Sequence, residues 1–189
     1  FDPGLQGLPF HPAGAPAGDG EVGEIRLRGP CMLSGYYRDT ASTDAAMRDG
    51  FYHTGDLGFI WEGELYVTGR SKDLIIVGGQ NLYPHDIEEA LTRFPQIKPG
   101  RAAVFSVFDE QLATEELIIA AELRSDADIN RTLEKEIRRA VIAQFDVTPR
   151  DVRLFAERVL PKSTSGKISR QRCREMYIEG HLGERGKER

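Results

Sequence analysis

The chain has 189 residues, of which 40% are hydrophobic and 29% charged, a composition that predicts globular domains with a buried core. Its net charge of -5 argues against a general nucleic-acid or membrane-surface binder. Cys31 and Cys173 lie far apart, and no apolar run is long enough to cross a bilayer, so we expect a reduced, cytoplasmic protein without an integral membrane segment.

The first part of the chain is rich in turns and short strands. Glycines and prolines crowd residues 1–20, which predicts a loop or an edge segment. Alternating patterns predict strands over residues 24–28 and 65–68, and a short helix over 43–47. Between them, glycines on both sides of Asp56 predict a tight turn that presents a carboxylate. Such a carboxylate serves either paired ligand hydroxyls or only its own backbone, and the residues alone leave both open.

The pattern changes near Lys72 to alternating strands and helices, which marks a domain junction. Gly78 and Gly79 lie in a predicted loop. We expect Cys173 to be a small buried residue of the last helix, and the end of the chain to be a charged tail. The predicted strands cover residues 74–77, 102–108, 117–123 and 152–155, and the predicted helices cover 84–94, 131–145 and a segment beginning at Ser169.

A short turn over residues 161–170 delivers Lys167 after a proline, three hydroxyl residues and Gly166. A lysine on such a turn suits the binding of a phosphate or carboxylate oxygen, although a plain surface loop has the same composition. Pro161 and Ile168 stand where a phosphate-binding P-loop needs a glycine and a hydroxyl residue, which excludes that motif. The scattered histidines give no zinc-ligand spacing, and no Gly-x-Ser-x-Gly elbow occurs.

Three segments in this order resemble the late motifs of AMP-forming acyl-adenylate ligases, the superfamily of acyl-CoA synthetases, fatty acyl-AMP ligases, nonribosomal adenylation domains and luciferases. A fourth segment, from Gly23-Glu24-Ile25 to Gly35-Tyr36-Tyr37, is also similar to a motif of this family. Within the superfamily, the segments after Lys72 and around Lys167 are most similar to fatty acyl-AMP ligases. The three segments are Tyr52-His53-Thr54-Gly55-Asp56-Leu57, Gly69-Arg70-Ser71-Lys72-Asp73 and Pro161-Lys162-Ser163-Thr164-Ser165-Gly166-Lys167.

The resemblance implies an α+β architecture in two parts. Residues 1–70 are expected to be the β-rich end of a large adenylate-forming domain, and residues 71–189 a mobile C-terminal domain with its hinge at Lys72. The chain starts with Phe1, and we expect it to be a piece of a longer polypeptide whose large N-terminal domain completes the enzyme. The piece alone is expected to be inactive.

The resemblance also implies an enzyme that joins a fatty or other carboxylic acid to AMP, using ATP and Mg²⁺, and passes the acyl group to an acceptor. Asp56 is expected to bind the ribose hydroxyls and Arg70 to contact ribose or phosphate. Val67 is expected beside the nucleotide, and Lys167 is expected to be catalytic in adenylation. Gly78 and Gly79 are expected on the acceptor side. The acceptor is expected to be a phosphopantetheinyl carrier protein, with CoA and a non-catalytic carrier-binding or regulatory module as alternatives. No metal ligand is expected in this chain.

Overall fold

A computed structural model describes residues 6–12, 14–156 and 158–183. Their contacts divide the chain into two compact units, Phe1–Asp73 and Leu74–Arg189. The division lies close to the predicted junction, while the hinge role of Lys72 stays a prediction. Residues 1–5 and 13 of the loop or edge segment predicted over 1–20, and residues 184–189 of the predicted charged tail, lie outside the described residues. Within that predicted segment, Gln6–Phe10 form a strand at the edge of a sheet.

The first unit is built on an antiparallel sheet around one long strand. Strands β1 and β2 pair in turn on one side of β4, while β3 and β5 both pair with its other edge. Helix α1 begins where the Asp39 carboxylate accepts the Ser42 N–H. The elements are β1 (Gln6–Phe10), β2 (Gly23–Arg28), α1 (Thr40–Ala46), β3 (Met47–Arg48), β4 (Phe51–Trp61) and β5 (Glu64–Arg70).

The turn predicted around Asp56 is wrong, because this residue lies inside β4. The pairing of β2 with β4 continues on both sides of it, from Arg26↔His53 to Glu24↔Leu57, with a register shift between the two pairs. The glycines therefore accommodate a bulge in a continuous strand. A local sequence pattern cannot distinguish a bulge from a turn, because the difference lies in the partner strands.

Over its described residues, 74–156 and 158–183, the second unit has a three-stranded sheet, a small hairpin and three α-helices. Strand β9 lies in the middle, antiparallel to β8 and parallel to β10, while β6 and β7 form the separate hairpin. Short 3₁₀ turns cover Leu91–Arg93 and Asp126–Asp128. The elements are β6 (Ile75–Val77), β7 (Gln80–Leu82), α2 (Pro84–Ala90), β8 (Ile97–Asp109), β9 (Thr114–Leu123), α3 (Arg131–Phe145), β10 (Asp151–Phe155) and α4 (Arg170–Ile178).

Strand β9 is buried on both faces, which explains its nearly continuous apolar sequence. Leu117 and Ile119 pack toward α2 and α3, whereas Ile118 packs on the other side with Cys173 of α4. The helices thus cover both faces of the sheet, and the predicted α+β class is confirmed. The helix predicted to reach Phe94 ends at Ala90, where the chain tightens into a 3₁₀ turn.

Candidate functional site

Asp56 and Arg70 face each other as paired residues of β4 and β5. The Arg70 Nε donates to the Asp56 Oδ1 at 3.0 Å, and the side chains are 56% and 34% exposed for arginine and aspartate. An ion pair this accessible contributes little to stability, about 0–1 kcal/mol. The ion pair can therefore open at little cost, which frees Asp56 and Arg70 to bind a ligand that offers hydroxyl or phosphate oxygens.

The bulge at residues 54–56 fixes the backbone beside this pair. The Thr54 hydroxyl donates to the Ile25 carbonyl at 2.7 Å and accepts the Asp56 N–H at 2.9 Å. Gly55 has φ +70°, and a Cβ there would meet nothing within 4 Å. The requirement for glycine at this position is therefore conformational, since other L-residues rarely adopt this backbone.

Tyr52 lies close enough to Asp56 and Arg70 to feel their charges, and neither it nor its hydrogen-bond partner Tyr36 was among the predicted site residues. The hydroxyl oxygens of Tyr36 and Tyr52 lie 3.2 Å apart. This hydrogen bond, burial and the nearby charge of Asp56 raise the pKa of Tyr52, so that its hydroxyl stays protonated. Both tyrosines lie in sequence segments that are similar to motifs of the family, and this similarity could have pointed to them.

A partly buried cluster of charged and polar side chains links strands β2 and β4. The Glu24 Oε2 lies 2.9 Å from the His53 Nδ1 and accepts a 3.2 Å hydrogen bond from the Arg26 Nε. Burial raises the pKa of Glu24, but the hydrogen bonds and charges of His53 and Arg26 together bring it below its usual value. Glu24 therefore remains ionised and joins β2 to β4.

Lys167 stands on an exposed turn of the second unit. The Ser163 N–H donates to the Lys167 carbonyl at 2.8 Å, and the Ser169 N–H donates to the Pro161 carbonyl at 2.9 Å, which closes the turn. Within the described residues, the Lys167 ammonium has no hydrogen bond or ion pair. The backbone of the turn is therefore organised while its cation is available for an anionic oxygen.

An open cavity of about 720 Å³ adjoins this turn within the second unit. Its volume is in the range of small-molecule sites, although acidic and basic side chains are mixed on its walls. The walls include Glu88, Thr92, Lys98, Arg124, Lys167 and Arg170. On this side the turn thus borders open space.

Gly78 and Gly79 form the two-residue turn of the β6–β7 hairpin. Their φ values of +57° and +84° are those of a type I′ turn, and a Cβ on either residue would meet nothing within 4 Å. The Gly78 N–H donates to the Thr114 hydroxyl at 3.0 Å, and the Ile76 N–H to the Glu115 Oε2 at 2.6 Å. Two side chains at the start of β9 therefore hold the hairpin.

The remaining predicted residues are accessible. Val67 is 63% exposed on β5, and Lys72 is exposed in a 3₁₀ turn at Ser71–Asp73. Of the predicted site residues, the structure pairs Asp56 with Arg70 in the first unit. The turns that carry Lys167 and Gly78 belong to different elements of the second unit.

Neither a metal site nor a membrane span emerges from the part of the chain that the structure describes. No group of three or more His, Cys, Asp or Glu side chains among those described residues could hold a metal ion. None of its described helices is both long and apolar enough to cross a bilayer.

Curated relatives of the chain include proteins named as fatty-acid ligases. The chain is 34% identical over 204 residues to the long-chain-fatty-acid–AMP ligase FadD32 of Mycolicibacterium smegmatis, a match covering 87% of this chain and 32% of that protein. It is 37% identical over 175 residues to the medium-chain-fatty-acid–[acyl-carrier-protein] ligase JamA of Moorena producens, covering 86% of this chain and 29% of that protein. The chain thus spans about a third of the length of these relatives. No family model matches it.

Solved structures with the same fold include adenylation enzymes. A structure from a study of fatty acyl-adenylate ligases of E. coli and L. pneumophila matches with a TM-score of 0.81 and 34% identity, over 95% of this chain and 31% of that one. The McyG A-PCP structure with phenylalanyl-adenylate matches with a TM-score of 0.83 and 28% identity, over 94% and 32%. An ATP-bound RpMatB-BxBclM chimera matches with a TM-score of 0.80 and 30% identity, over 95% and 35%.

Proposed function

We propose that this chain, whose homologues are fatty-acyl-AMP ligases and related AMP-forming ligases, is the C-terminal part of an enzyme that activates a fatty or other carboxylic acid. ATP and the acid give an acyl adenylate and pyrophosphate, and the acyl group then passes to the thiol of a carrier protein. The observation that carries the proposal is the 34% identity to a fatty-acid–AMP ligase over 87% of the chain.

In this proposal, the exposed pair of the first unit binds the nucleotide. The Asp56 carboxylate accepts hydrogen bonds from the ribose hydroxyls, and Arg70 donates to ribose or phosphate oxygens. Val67, exposed on the same strand as Arg70, contributes an apolar contact beside the nucleotide. The Tyr52 hydroxyl, hydrogen-bonded to that of Tyr36, adds a polar group near the carboxylate.

Lys167 acts in adenylation. Negative charge builds on the α-phosphate as pyrophosphate leaves, and a positioned ammonium offsets that charge in the transition state. The absence of a hydrogen-bond or ion-pair partner for this ammonium among the described residues fits the role, because no internal contact has to break first.

The second half-reaction uses the other turn of the same unit. We assign the bare backbone of Gly78 and Gly79 to the acceptor side, where the absence of side chains leaves room for a thiol-bearing arm. Lys72 is the proposed hinge whose backbone rotation alternates the two half-reactions. Carrier-protein transfer is favoured over CoA because the relative JamA is named as a ligase of acyl-carrier protein.

A fold that had lost activity and served only as a binding module would have no need to keep the accessible Asp56 carboxylate, or a Lys167 ammonium that has no partner among the described residues. Both are present. We therefore favour the catalytic role and expect the 189-residue chain to need the remaining two thirds of the enzyme for it.

The test is to supply the full-length protein with ATP, a panel of fatty acids, and either CoA or a holo carrier protein. We expect acyl-AMP formation with a subset of the acids and transfer to the carrier protein. Transfer to CoA alone would reassign the acceptor, and the absence of any acyl-AMP would overturn the proposed function.

A further inference from the structure

The turn that carries Lys167 receives little support from the core. Residues 162–167 are exposed, a Cβ on Gly166 would meet nothing within 4 Å, and the cavity borders the turn on one side. The chain is buried where it enters the turn, at Leu160, and half-buried where it leaves, at Ile168 and Arg170. The position of the turn therefore depends on what holds its two ends.

A buried carboxylate holds the entry. Glu122, which is 0% exposed, accepts two hydrogen bonds from Arg101, at 2.6 Å from Nε and 2.5 Å from Nη2. Its Oε1 also accepts the N–H of Leu160 at 2.8 Å. A single side chain of β9 thus fixes Arg101 of β8 and the residue just before Pro161.

A second carboxylate holds the exit. The Glu88 Oε1 accepts the Arg170 Nε at 2.8 Å, and its Oε2 accepts the Arg170 Nη2 at 2.6 Å. The Oε1 also accepts the N–H of Val104 at 2.9 Å, on the edge of β8 that does not pair with β9. Glu88 therefore ties α2, β8 and the first residue of α4 together.

We propose that Glu88 and Glu122 are positioning residues for adenylation, which hold the two ends of the turn so that Lys167 is delivered in one place. Two parallel N–H···O bonds fix both distance and orientation, which a single contact between point charges does not. A displacement of about 1 Å at a reacting centre can cost about 100-fold in rate. The inference rests on the proposed catalytic role of Lys167.

The claim differs from a general effect on folding because it predicts which half-reaction fails. A loosened turn misplaces Lys167 and slows adenylation, but transfer from a supplied acyl adenylate does not use this lysine. Because the two carboxylates act through Lys167, substituting them should not lower the adenylation rate further in a variant that already lacks this lysine.

Glu88→Gln in the full-length protein is the variant to test, since it removes the charge while its amide oxygen can still accept the Val104 N–H. Substituting the buried Glu122 endangers folding itself. The matched control is Glu134→Gln, which removes the ion pair with Arg138 on α3 of the same unit. Arg170→Lys keeps the charge and loses the two-point contact.

We expect Glu88→Gln to lower the kcat of acyl-AMP formation by about 10- to 100-fold, with Arg170→Lys in the same direction and Glu134→Gln near the unmodified rate. Transfer from supplied acyl-AMP stays within about twofold, and Glu88→Gln has no further effect in a Lys167→Ala background. Equal losses in both half-reactions, or a full additional loss in that background, would overturn the positioning role.

Amide hydrogen exchange of the peptide covering residues 161–169 separates this claim from the proposed function. We expect exchange to be about tenfold faster in Glu88→Gln than in Glu134→Gln. If the unmodified protein forms no acyl-AMP, the proposed function is wrong. If amide hydrogen exchange is equal in the two variants, Glu88 does not hold the turn and the positioning role is wrong.

Discussion

The two open turns of the second unit are built in opposite ways. The lysine turn is fixed at both ends by paired arginine–carboxylate contacts and carries a cation without an internal partner among the described residues. The glycine turn is a tight hairpin held through its backbone N–H groups by Thr114 and Glu115, and it has no side chain to present. The lysine turn presents a charge from a fixed backbone, and the glycine turn exposes backbone without side chains. A substitution in one turn should therefore leave the activity of the other unchanged.

Breaking the buried ion pair between Arg101 and Glu122 should have the largest effect, which is a loss of stability. Glu122→Ala leaves the Arg101 guanidinium, only 11% exposed, without its partner, and should lower the free energy of unfolding by about 3–5 kcal/mol. Urea unfolding would measure the loss. Replacing both residues with apolar ones, Arg101→Met with Glu122→Leu, should cost less. An equal or greater loss in the double variant would contradict this explanation.

Removing the Lys167 ammonium should have the next largest effect, which is a slower adenylation step. Lys167→Ala in the full-length protein should slow pyrophosphate exchange by about 100- to 1000-fold, the cost of losing one positioned electrostatic contact in the transition state. Lys162→Ala, which removes another exposed lysine from the same turn, is the control and should stay near the unmodified rate. Similar losses in the two variants would show that only the local charge matters.

A change in the glycine turn should act on transfer. Gly79 has φ +84°, and a side chain in this left-handed region costs about 1–2 kcal/mol, so Gly79→Ala should distort the hairpin and slow acyl transfer by about tenfold. The variant Gly63→Ala, at a hairpin turn of the first unit with φ +81°, imposes similar strain away from the acceptor loop. Transfer rates from supplied acyl-AMP compare the two, and equal slowing would argue against an acceptor role.

A pH-dependent effect concerns Cys173, which packs in one cluster with Leu160 and Ile168, the residues at the two ends of the lysine turn. Burial, together with the charges of Glu88 and Glu122, raises the pKa of its thiol to about 12. A raised thiol pKa means that the unfolded chain loses its proton first, so the associated stability is complete below about pH 8.5 and declines as the pH rises toward 12. We expect the urea midpoint to fall over this range, and less so in Cys173→Ala. The same slope in both would assign the decline to other groups.

Exposed Cys31 supplies an internal reference for the same thiol. At pH 8.5, iodoacetamide should label Cys31 at least about tenfold faster than Cys173, because only the thiolate reacts and burial blocks access. Equal labelling in the folded protein would contradict the described packing of α4.

Local patterns were sufficient where one face of an element is buried. The helix at Arg131–Phe145 and the burial of Cys173 follow from helical spacing, and the apolar run of β9 follows from burial on both faces. The bulge at Asp56 could not be predicted, because it depends on the register of two partner strands. The roles assigned to the predicted site residues stay predictions.

The ion pairs Glu88–Arg170 and Glu122–Arg101 were not predicted from the sequence, because the two residues of each pair are far apart in the chain. Glu88 and Arg170 are separated by 82 residues, and no local pattern links them. Glu122 did leave a signal, since a single charge inside the run Leu117–Leu123 is costly to bury unless it is paired. Its partner Arg101 could be found only from the register of β8 against β9.

The most direct test measures both half-reactions in Lys167→Ala and Gly79→Ala of the full-length protein side by side. We predict reciprocal effects. The lysine variant loses pyrophosphate exchange and retains transfer from supplied acyl-AMP, while the glycine variant retains exchange and transfers the acyl group about tenfold more slowly. Parallel losses of both activities in both variants would contradict the separation of the two turns.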